Sequence, residues 1–423
     1  LGGVHRGLGM YDEGRDLYNR SLAVKRSVYG DSGLEVATTA AALGLLEVES
    51  GRYASAESLL TDALAVHRAE LGSFDPVVAS DLMGLGLMTA YQGRYEESKI
   101  YYSEAKAIYE SDPALQGADY GTCLNDYALM LLDTGEGQDA EPLFRKALDI
   151  QRRDLGEGHP EISNTLFNLA LVLKSRGDYK AAEPIQRQVL ALDRQHYDAN
   201  HPNVAYSLMA LGGTLSENGQ YAEAERVFAE AMEIRRATME PAHPTYIKTL
   251  GTLGLTRCRG GDYAGAEPLL IEAVDLSREH LGTHRITAGR LDDLGWFYMD
   301  TGRFEVALPL HRESMAMKLE LVGSGHKVTG ITHMHLARAY QGLDDLESAM
   351  AEQEKAVEIG REQYGPENRF TATTELGLAR ILLEMGRVDE AYEVAVTATE
   401  NMRKVVQAGS PRLAGGLQMM GAI

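Results

Sequence analysis

The feature that most constrains this chain is a repeat with a period of 42 residues. A glycine followed two residues later by an aromatic residue recurs at this spacing, as at Gly51, Gly93, Gly177 and Gly219, with a single 41-residue step near Gly302. A second landmark of the form His-Pro, or a lone His or Asn, keeps the same phase: His159-Pro160, His201-Pro202, His243-Pro244, His284, His326 and Asn368. Because two independent landmarks share one period, the chain is predicted to be an array of one repeated structural unit.

Each unit is predicted to contain two helices. Residues 161–176 carry leucines at helical spacing, and Gly177 can take the left-handed conformation that often ends a helix. Asp178 is a good cap for a second helix that runs to about Tyr197. Because only two or three residues connect the two helices, they are expected to pack antiparallel as a hairpin.

The small residues of each unit decide between the possible helical repeats. The period alone also suits HEAT and armadillo repeats. However, the first helix carries Leu-x-x-Leu-[Gly/Ala], as in Leu208/Leu211/Gly212, and the second carries Ala-x3-[Leu/Phe]-x2-Ala, as in Ala224/Phe228/Ala231. This pattern resembles the tetratricopeptide consensus. The Leu-Gly-x-x-His-Pro join at 155–160 resembles the repeats of kinesin light chains, which also have close relatives in bacterial multidomain signalling proteins.

The resemblance implies an all-α fold, a right-handed superhelical solenoid of antiparallel helix hairpins. Nine complete repeats are expected over residues 33–409, starting near residues 33, 75, 117, 159, 201, 243, 284, 326 and 368. Partial repeats are expected at 1–32 and 410–423, the latter opened by Pro411. Solenoids need polar capping repeats at their ends, and neither end has one. We therefore expect a single solenoid over residues 1–423 that is a fragment of a longer protein.

Composition narrows the classes of partner. The chain has 41 Lys plus Arg against 62 Asp plus Glu, a formal net charge of −21, which disfavours nucleic acid and anionic membrane surfaces. No run of 18 to 20 apolar residues is present, so a membrane-spanning helix is not expected. Two cysteines, Cys123 and Cys258, are too few for a disulfide scaffold and favour a reduced, cytoplasmic location.

Motifs for catalysis or metal binding are not recognised in the sequence. The recurrent histidines are a full repeat apart, so they are expected to cap or brace the loop before the first helix rather than share a metal. His326, His333 and His335 are close in sequence, but positions two apart face different sides of a helix. Paired acids such as Asp292-Asp293 and Asp344-Asp345 are expected to be solvated. We therefore predict no enzyme activity, no metal ligand, no cofactor and no small-molecule substrate.

A stripe of polar and aromatic residues on the first helices is the candidate binding surface. In tetratricopeptide arrays the first helices line the concave face, and kinesin light chains have asparagines in this stretch, some of which face cargo. The resemblance and the helical spacing predict a partner-binding groove formed by Asn125, Asn164, Phe167, Asn168, Tyr206, Met209, Lys248 and Trp296. The alternative for some of the stripe, favoured for Leu129 and Leu171, is packing between adjacent repeats.

The predicted function is that of a non-catalytic scaffold for a protein or peptide. The stripe offers Lys174 and Lys248 against acids that include Asp126, Asp292 and Asp300, so a neutral or basic partner fits better than an acidic one. Two alternatives stay open. The array could be the recruitment arm of a larger enzyme, a serine/threonine kinase or a nucleotide-binding signalling protein, or it could be a motor-adaptor light chain.

Overall fold

The protein is a succession of helical hairpins in the computed structural model, which describes residues 11–405, 417–418 and 420–421. Over this part of the chain the regular secondary structure is helical throughout. The helix α1 (Tyr11–Tyr29) comes first and stands where the repeat places a second helix. Nine hairpins follow, numbered 1 to 9: α2 (Leu34–Glu49) with α3 (Tyr53–Leu71), α4 (Pro76–Tyr91) with α5 (Tyr95–Ser111), α6 (Ala118–Asp133) with α7 (Gly137–Leu155), α8 (Pro160–Ser175) with α9 (Tyr179–His196), α10 (Pro202–Glu217) with α11 (Tyr221–Thr238), α12 (Pro244–Arg259) with α13 (Tyr263–Leu281), α14 (Arg285–Asp300) with α15 (Phe304–Val322), α16 (Lys327–Gly342) with α17 (Leu346–Tyr364), and α18 (Arg369–Glu384) with α19 (Val388–Val405).

The chain divides into two compact units, Leu1–Asp198 and Ala199–Ile423. The first contains hairpins 1 to 4 and the second contains hairpins 5 to 9. Within each unit the two helices of a hairpin pack on each other, and the second helix packs on the first helix of the following hairpin. Consecutive first helices also touch one another in hairpins 1 to 4 and in hairpins 6 to 9. We call the surface that they form in each unit the first-helix face.

The first helices begin where the sequence predicts. Gly33, Asp75 and Gly117 are the N-caps of hairpins 1 to 3, and the later caps are His159, His201, His243, His284, His326 and Asn368. Each histidine accepts a hydrogen bond at Nδ1 from the backbone N–H two residues on, as at His201 and Asn203 with a distance of 3.1 Å. The recurrent histidines are therefore capping residues, as expected.

The first helices also end where the sequence predicts. The glycines of the repeat have φ between 74° and 89°, as at Gly177 and Gly261, a region that L side chains rarely adopt. In hairpin 8 the glycine is replaced by Asp344, which keeps φ at 61° and is the one non-glycine residue with positive φ in the described part of the chain. Asp345 then caps α17 by accepting from the backbone N–H of Ser348 at 3.1 Å.

Small residues let the two helices of each hairpin approach closely. A Cβ built on Gly212 would lie 2.6 Å from the ring of Phe228, and one on Gly254 would lie 2.9 Å from Cγ of Leu270. The large side chain of the second helix fills the space that the glycine leaves, and Phe228 and Leu270 are almost fully buried. The tetratricopeptide-type packing predicted from the sequence is confirmed.

Polar pairs join successive hairpins, and the sequence analysis did not anticipate them. A residue of a second helix bonds to one 14 positions later, on the next first helix, as in Lys25 with Thr39 at 2.8 Å and Lys318 with Thr332 at 2.7 Å. The pair His67 and Asp81 is fully buried, with Nδ1 and Oδ2 2.6 Å apart. Burial raises the pKa of Asp81, although the hydrogen bond from His67 opposes the shift.

Several expectations concern the ends of the chain and its cysteines. The beginning of the first partial repeat and the helix opened by Pro411 lie outside the described residues, whereas α1 forms the rest of the segment 1–32. None of the described helices is long and apolar enough to cross a lipid bilayer. Cys123 and Cys258 are buried free thiols, and burial raises the pKa of Cys123 to about 12.

Candidate functional site

Two asparagines link the first helices of hairpins 3 and 4. The Nδ2 of Asn168 on α8 donates to Oδ1 of Asn125 on α6 at 3.1 Å. Asn125 in turn donates from Nδ2 to Oδ1 of Asp126 at 3.0 Å. Both asparagines are partly buried, so their amides are held in place at the surface. Two of the eight predicted groove residues are thus in direct contact.

The carboxyl group of Asp126 lies directly beside this pair. Burial raises its pKa to about 6, and the hydrogen bond from Asn125 only partly opposes the shift. The ionised form of Asp126 is therefore disfavoured compared with that of an exposed aspartate.

The other two predicted residues of the first unit occupy different depths. Asn164 is exposed on α8. Phe167 is partly buried and packs against an apolar cluster formed by hairpins 2 to 4, as Leu129 does. The first-helix face here combines an exposed carboxamide, an aromatic edge and the bonded asparagine pair.

The remaining four predicted residues lie in the second unit. Tyr206 on α10 is 58% exposed, Met209 on the same helix is partly buried, and Lys248 on α12 is exposed. Trp296 on α14 is partly buried and packs against an apolar cluster formed by hairpins 6 to 8.

Arg290 is a cation on this face that the sequence analysis missed. Its guanidinium reaches back from α14 to α12, where Nη1 donates to the carbonyl oxygen of Lys248 at 3.0 Å. It lies directly over Gly251, since a Cβ at that position would be 2.2 Å from Nη1, and it pairs with Asp293 at 2.7 Å. The helical register assigns Arg290 to a packing position, and only the space left by Gly251 lets it reach the face.

The expectation that Asp292 and Asp293 are solvated is wrong. Asp292 is 8% exposed and lies among side chains of α15 and α16, and the side chain of Asp293 is 20% exposed. Burial alone would disfavour ionisation of Asp292. Hydrogen bonds from His311 and His335 and the charge of Lys318 instead hold the pKa of Asp292 well below its usual range. Asp344 and Asp345, by contrast, are exposed as expected.

The three histidines that are close in sequence do not come together. His326 caps α16, and Nδ1 of His333 lies 2.6 Å from Oε2 of Glu352. His335 instead meets His311, with ring centroids 5.0 Å apart, and both lie beside Asp292. The members of this cluster come from three different helices, so no local pattern in the sequence predicts it.

Comparison with known proteins follows the repeat along the chain. The tetratricopeptide repeat family matches residues 1–69, 49–111, 119–195, 176–237, 245–320 and 328–404. The chain belongs to the tetratricopeptide repeat family. The predicted array of such repeats is confirmed, and membership indicates a scaffold that binds proteins or peptides. A search of curated proteins finds no significant match.

Solved structures are similar to this tetratricopeptide array at low sequence identity. The apo form of the quorum sensor NprR from B. thuringiensis is 14% identical, with a TM-score of 0.61 over 90% of this chain and 100% of that one. The apo form of RapI is 13% identical, with a TM-score of 0.64 over 88% and 99%. BtubC (BKLC) from P. vanneervenii is 21% identical, with a TM-score of 0.49 over 54% and 91%.

Proposed function

We propose that the chain is a non-catalytic scaffold that binds an extended peptide, or an extended segment of a partner protein, on the first-helix face of hairpins 3 and 4. The observation that carries the proposal is the hydrogen bond between Asn125 and Asn168. A carboxamide has two N–H donors and an oxygen acceptor, so the bonded amide of Asn168 keeps one N–H and its oxygen for a further partner. The N–H of Asn168 can donate to a C=O of a peptide backbone, and its oxygen can accept from a backbone N–H.

Neighbouring side chains add apolar and polar contacts to this pair. Phe167 precedes Asn168 and has one edge at the surface, and the exposed Asn164 lies one turn earlier on the same helix. An aromatic side chain that is already held by packing loses little conformational entropy on binding. The arrangement suits a peptide whose backbone is read by carboxamides and whose side chain contacts Phe167.

Charge favours a neutral or basic peptide. The chain carries a formal net charge of −21, which repels an acidic ligand during encounter. Cations do lie on the first helices, among them Lys248 and Arg290, but Arg290 is paired with Asp293. The proposed ligand is therefore a segment with no net negative charge.

A display library of random peptides of about a dozen residues tests the proposal. Selected peptides are titrated by fluorescence anisotropy against the whole chain and its Phe167→Ala and Asn168→Ala variants. We expect each variant to weaken binding by about 10-fold, the loss typical of a central interface residue. Two matched controls, Asn19→Ala and Ile100→Ala, remove an exposed asparagine and an exposed apolar residue of second helices and should leave affinity within about 2-fold.

Two outcomes would contradict the proposal. Peptides that keep full affinity for both variants but lose it with Ile100→Ala would place binding on the second helices. Selection of predominantly acidic peptides would contradict the charge preference and leave the location of the site intact.

A further inference from the structure

The interior of hairpins 7 and 8 departs from the pattern of the array. In hairpins 1 and 6 the glycine of the first helix faces a leucine of the second, Leu60 and Leu270. In hairpin 7 the corresponding glycine, Gly295, faces His311, whose side chain is fully buried. The other hairpins carry Leu, Tyr, Phe, Gln or Ala at this position, and Gln186 and Gln353 are buried there, so His311 is the one histidine in this place of the repeat.

Three side chains of ligand type converge at this point. Asp292 on α14, His311 on α15 and His335 on α16 each offer one donor atom, and the three atoms lie within 4.8 Å of one another. The Nδ1 of His311 is 3.0 Å from Oδ1 of Asp292. Ligands of a tetrahedral zinc ion, each at about 2.0–2.1 Å, are separated by about 3.3 Å, so little rearrangement is needed to close around one ion.

The hydrogen bonds within the chain do not satisfy the cluster. The Nδ1 of His335 is buried and has no hydrogen-bond partner among the described residues. Buried polar atoms are nearly always bonded, and exceptions are frequent at functional sites. His335 is only partly buried, so one edge of the cluster is accessible to solvent.

We propose that Asp292, His311 and His335 bind a divalent transition-metal ion of the zinc type, with water as the fourth ligand. Two imidazoles and a carboxylate form a donor set that binds such ions in preference to Mg²⁺ or Ca²⁺, because Mg²⁺ and Ca²⁺ prefer oxygen ligands. Coordination by Nδ1 of His311 requires its neutral tautomer with the proton on Nε2. The ion would connect three successive helices and so fix hairpin 7 against hairpin 8, whether or not a peptide is bound elsewhere.

Lys318 is the competitor for this ion. Its ammonium contacts Oδ2 of Asp292, and Thr332 donates to the same oxygen at 3.2 Å. The other oxygen, Oδ1, faces His311 and is the one assigned to the metal. The ammonium neutralises the carboxylate in the metal-free protein and repels an incoming cation. Replacing Lys318 with an uncharged residue is therefore expected to strengthen metal binding.

The array itself supplies conservative replacements for every ligand. Asn125 and Asn168 occupy the repeat positions of Asp292 and His335, and Leu270 occupies that of His311. The variants Asp292→Asn, His335→Asn and His311→Leu thus place residues that the same fold already accepts. Met402 occupies the position of Lys318, which makes Lys318→Met the matched competitor variant. His326→Asn removes a nearby capping histidine and copies Asn368, so it serves as the control.

The experiment uses the whole chain without a polyhistidine tag, freed of metal by a chelator. Co²⁺ is titrated while its visible absorption and the fluorescence of Trp296, one turn beyond Asp292, are followed, and Zn²⁺ is titrated by calorimetry. We expect one ion per chain. Each ligand variant should weaken binding by at least about 100-fold, His326→Asn should leave it unchanged, and Lys318→Met should strengthen it.

Either of two results would overturn the proposal. One is that the wild type binds no Co²⁺, or binds it no more tightly than the three ligand variants do. Equal binding would assign the ion to surface groups. The other is a Lys318→Met variant that loses thermal stability and gains no metal affinity, because the cluster would then be an ion-pair network complete without metal. Circular dichroism of each variant confirms that it is folded.

Discussion

Asn168 and Asn125, 43 residues apart on neighbouring first helices, are joined by a hydrogen bond of 3.1 Å between their side-chain amides. Asp292 and His335 stand at the same two repeat positions in hairpins 7 and 8, and they also interact. A residue and the one 43 positions later therefore face each other across adjacent first helices. The chain uses this pair of positions for carboxamides in one unit and for a carboxylate with an imidazole in the other.

The asparagine pair is expected to stabilise the contact between hairpins 3 and 4 as well as to bind peptide. A double-mutant cycle with Asn125→Ala and Asn168→Ala should give a coupling energy of about 1 kcal/mol, the usual net value of a hydrogen bond. The free energies come from urea unfolding. Coupling below about 0.3 kcal/mol would show that the two effects are additive and that the bond adds nothing to stability.

The close approach at Gly212 predicts a large effect from a single methyl group. A Cβ there would lie 2.6 Å from the ring of Phe228, so Gly212→Ala should destabilise hairpin 5 by about 1–3 kcal/mol despite the better helix propensity of alanine. Hydrogen exchange of the α10 and α11 amides measures the change locally. Gly289→Ala is the control, because nothing lies within 4 Å of its Cβ and it should instead stabilise α14 by about 0.5–1 kcal/mol.

The left-handed conformation of Asp344 predicts a stabilising substitution. At φ 61° an L side chain is strained and glycine is not, so Asp344→Gly should raise the free energy of unfolding by about 1 kcal/mol. The converse change, Gly302→Asp at φ 74°, should lower it by a similar amount. Thermal and urea unfolding of both variants check the pair. Equal stability of Asp344→Gly and the wild type would show that local hydrogen bonds of the aspartate offset the strain.

The raised pKa of Asp126 predicts a pH dependence of stability. Its pKa is about 6 in the folded chain, above the ordinary value of 3.8 that applies when the chain unfolds. The folded state therefore binds the proton more tightly, so the group's contribution to stability is greatest below about pH 4 and is lost as pH rises through about 6.

Asp126→Asn removes the buried charge at neutral pH. Each pKa unit is worth about 1.4 kcal/mol, and because the carboxyl group is partly accessible we expect a gain of about 1–2 kcal/mol at pH 7.5. At pH 4 the variant and the wild type should be nearly equal. Urea unfolding at both pH values tests this, and a gain that is the same at pH 4 would trace the effect to something other than ionisation.

Much of the helical framework could be read from the spacing of a few residue types. The positions of Gly177 and His201 predict where first helices end and begin, because a left-handed glycine and a capping side chain act within a few residues of themselves. The pairing of Gly212 with Phe228 follows from the repeat of small and large residues. Such local rules also placed Asn164 and Tyr206 on the exposed side of their helices, where the structure has them.

Contacts between hairpins were harder to anticipate. The bond from Lys25 to Thr39 and the buried pair of His67 and Asp81 depend on how one hairpin rests on the next. Arg290 reaches the first-helix face only because Gly251, 39 residues earlier, leaves room for it. No sequence pattern near either residue predicts that contact.

The sequence by itself determined the repeat, the number of hairpins, their caps and turns, and the family, because each of these depends on residues that act locally and recur. The tertiary structure alone decided that Asp292 is buried and that His335 joins His311 rather than His333. The physical reason is that a side chain's neighbours on other helices set its solvation and its hydrogen bonds. Those neighbours are brought together by packing, at separations in the chain that no local pattern encodes.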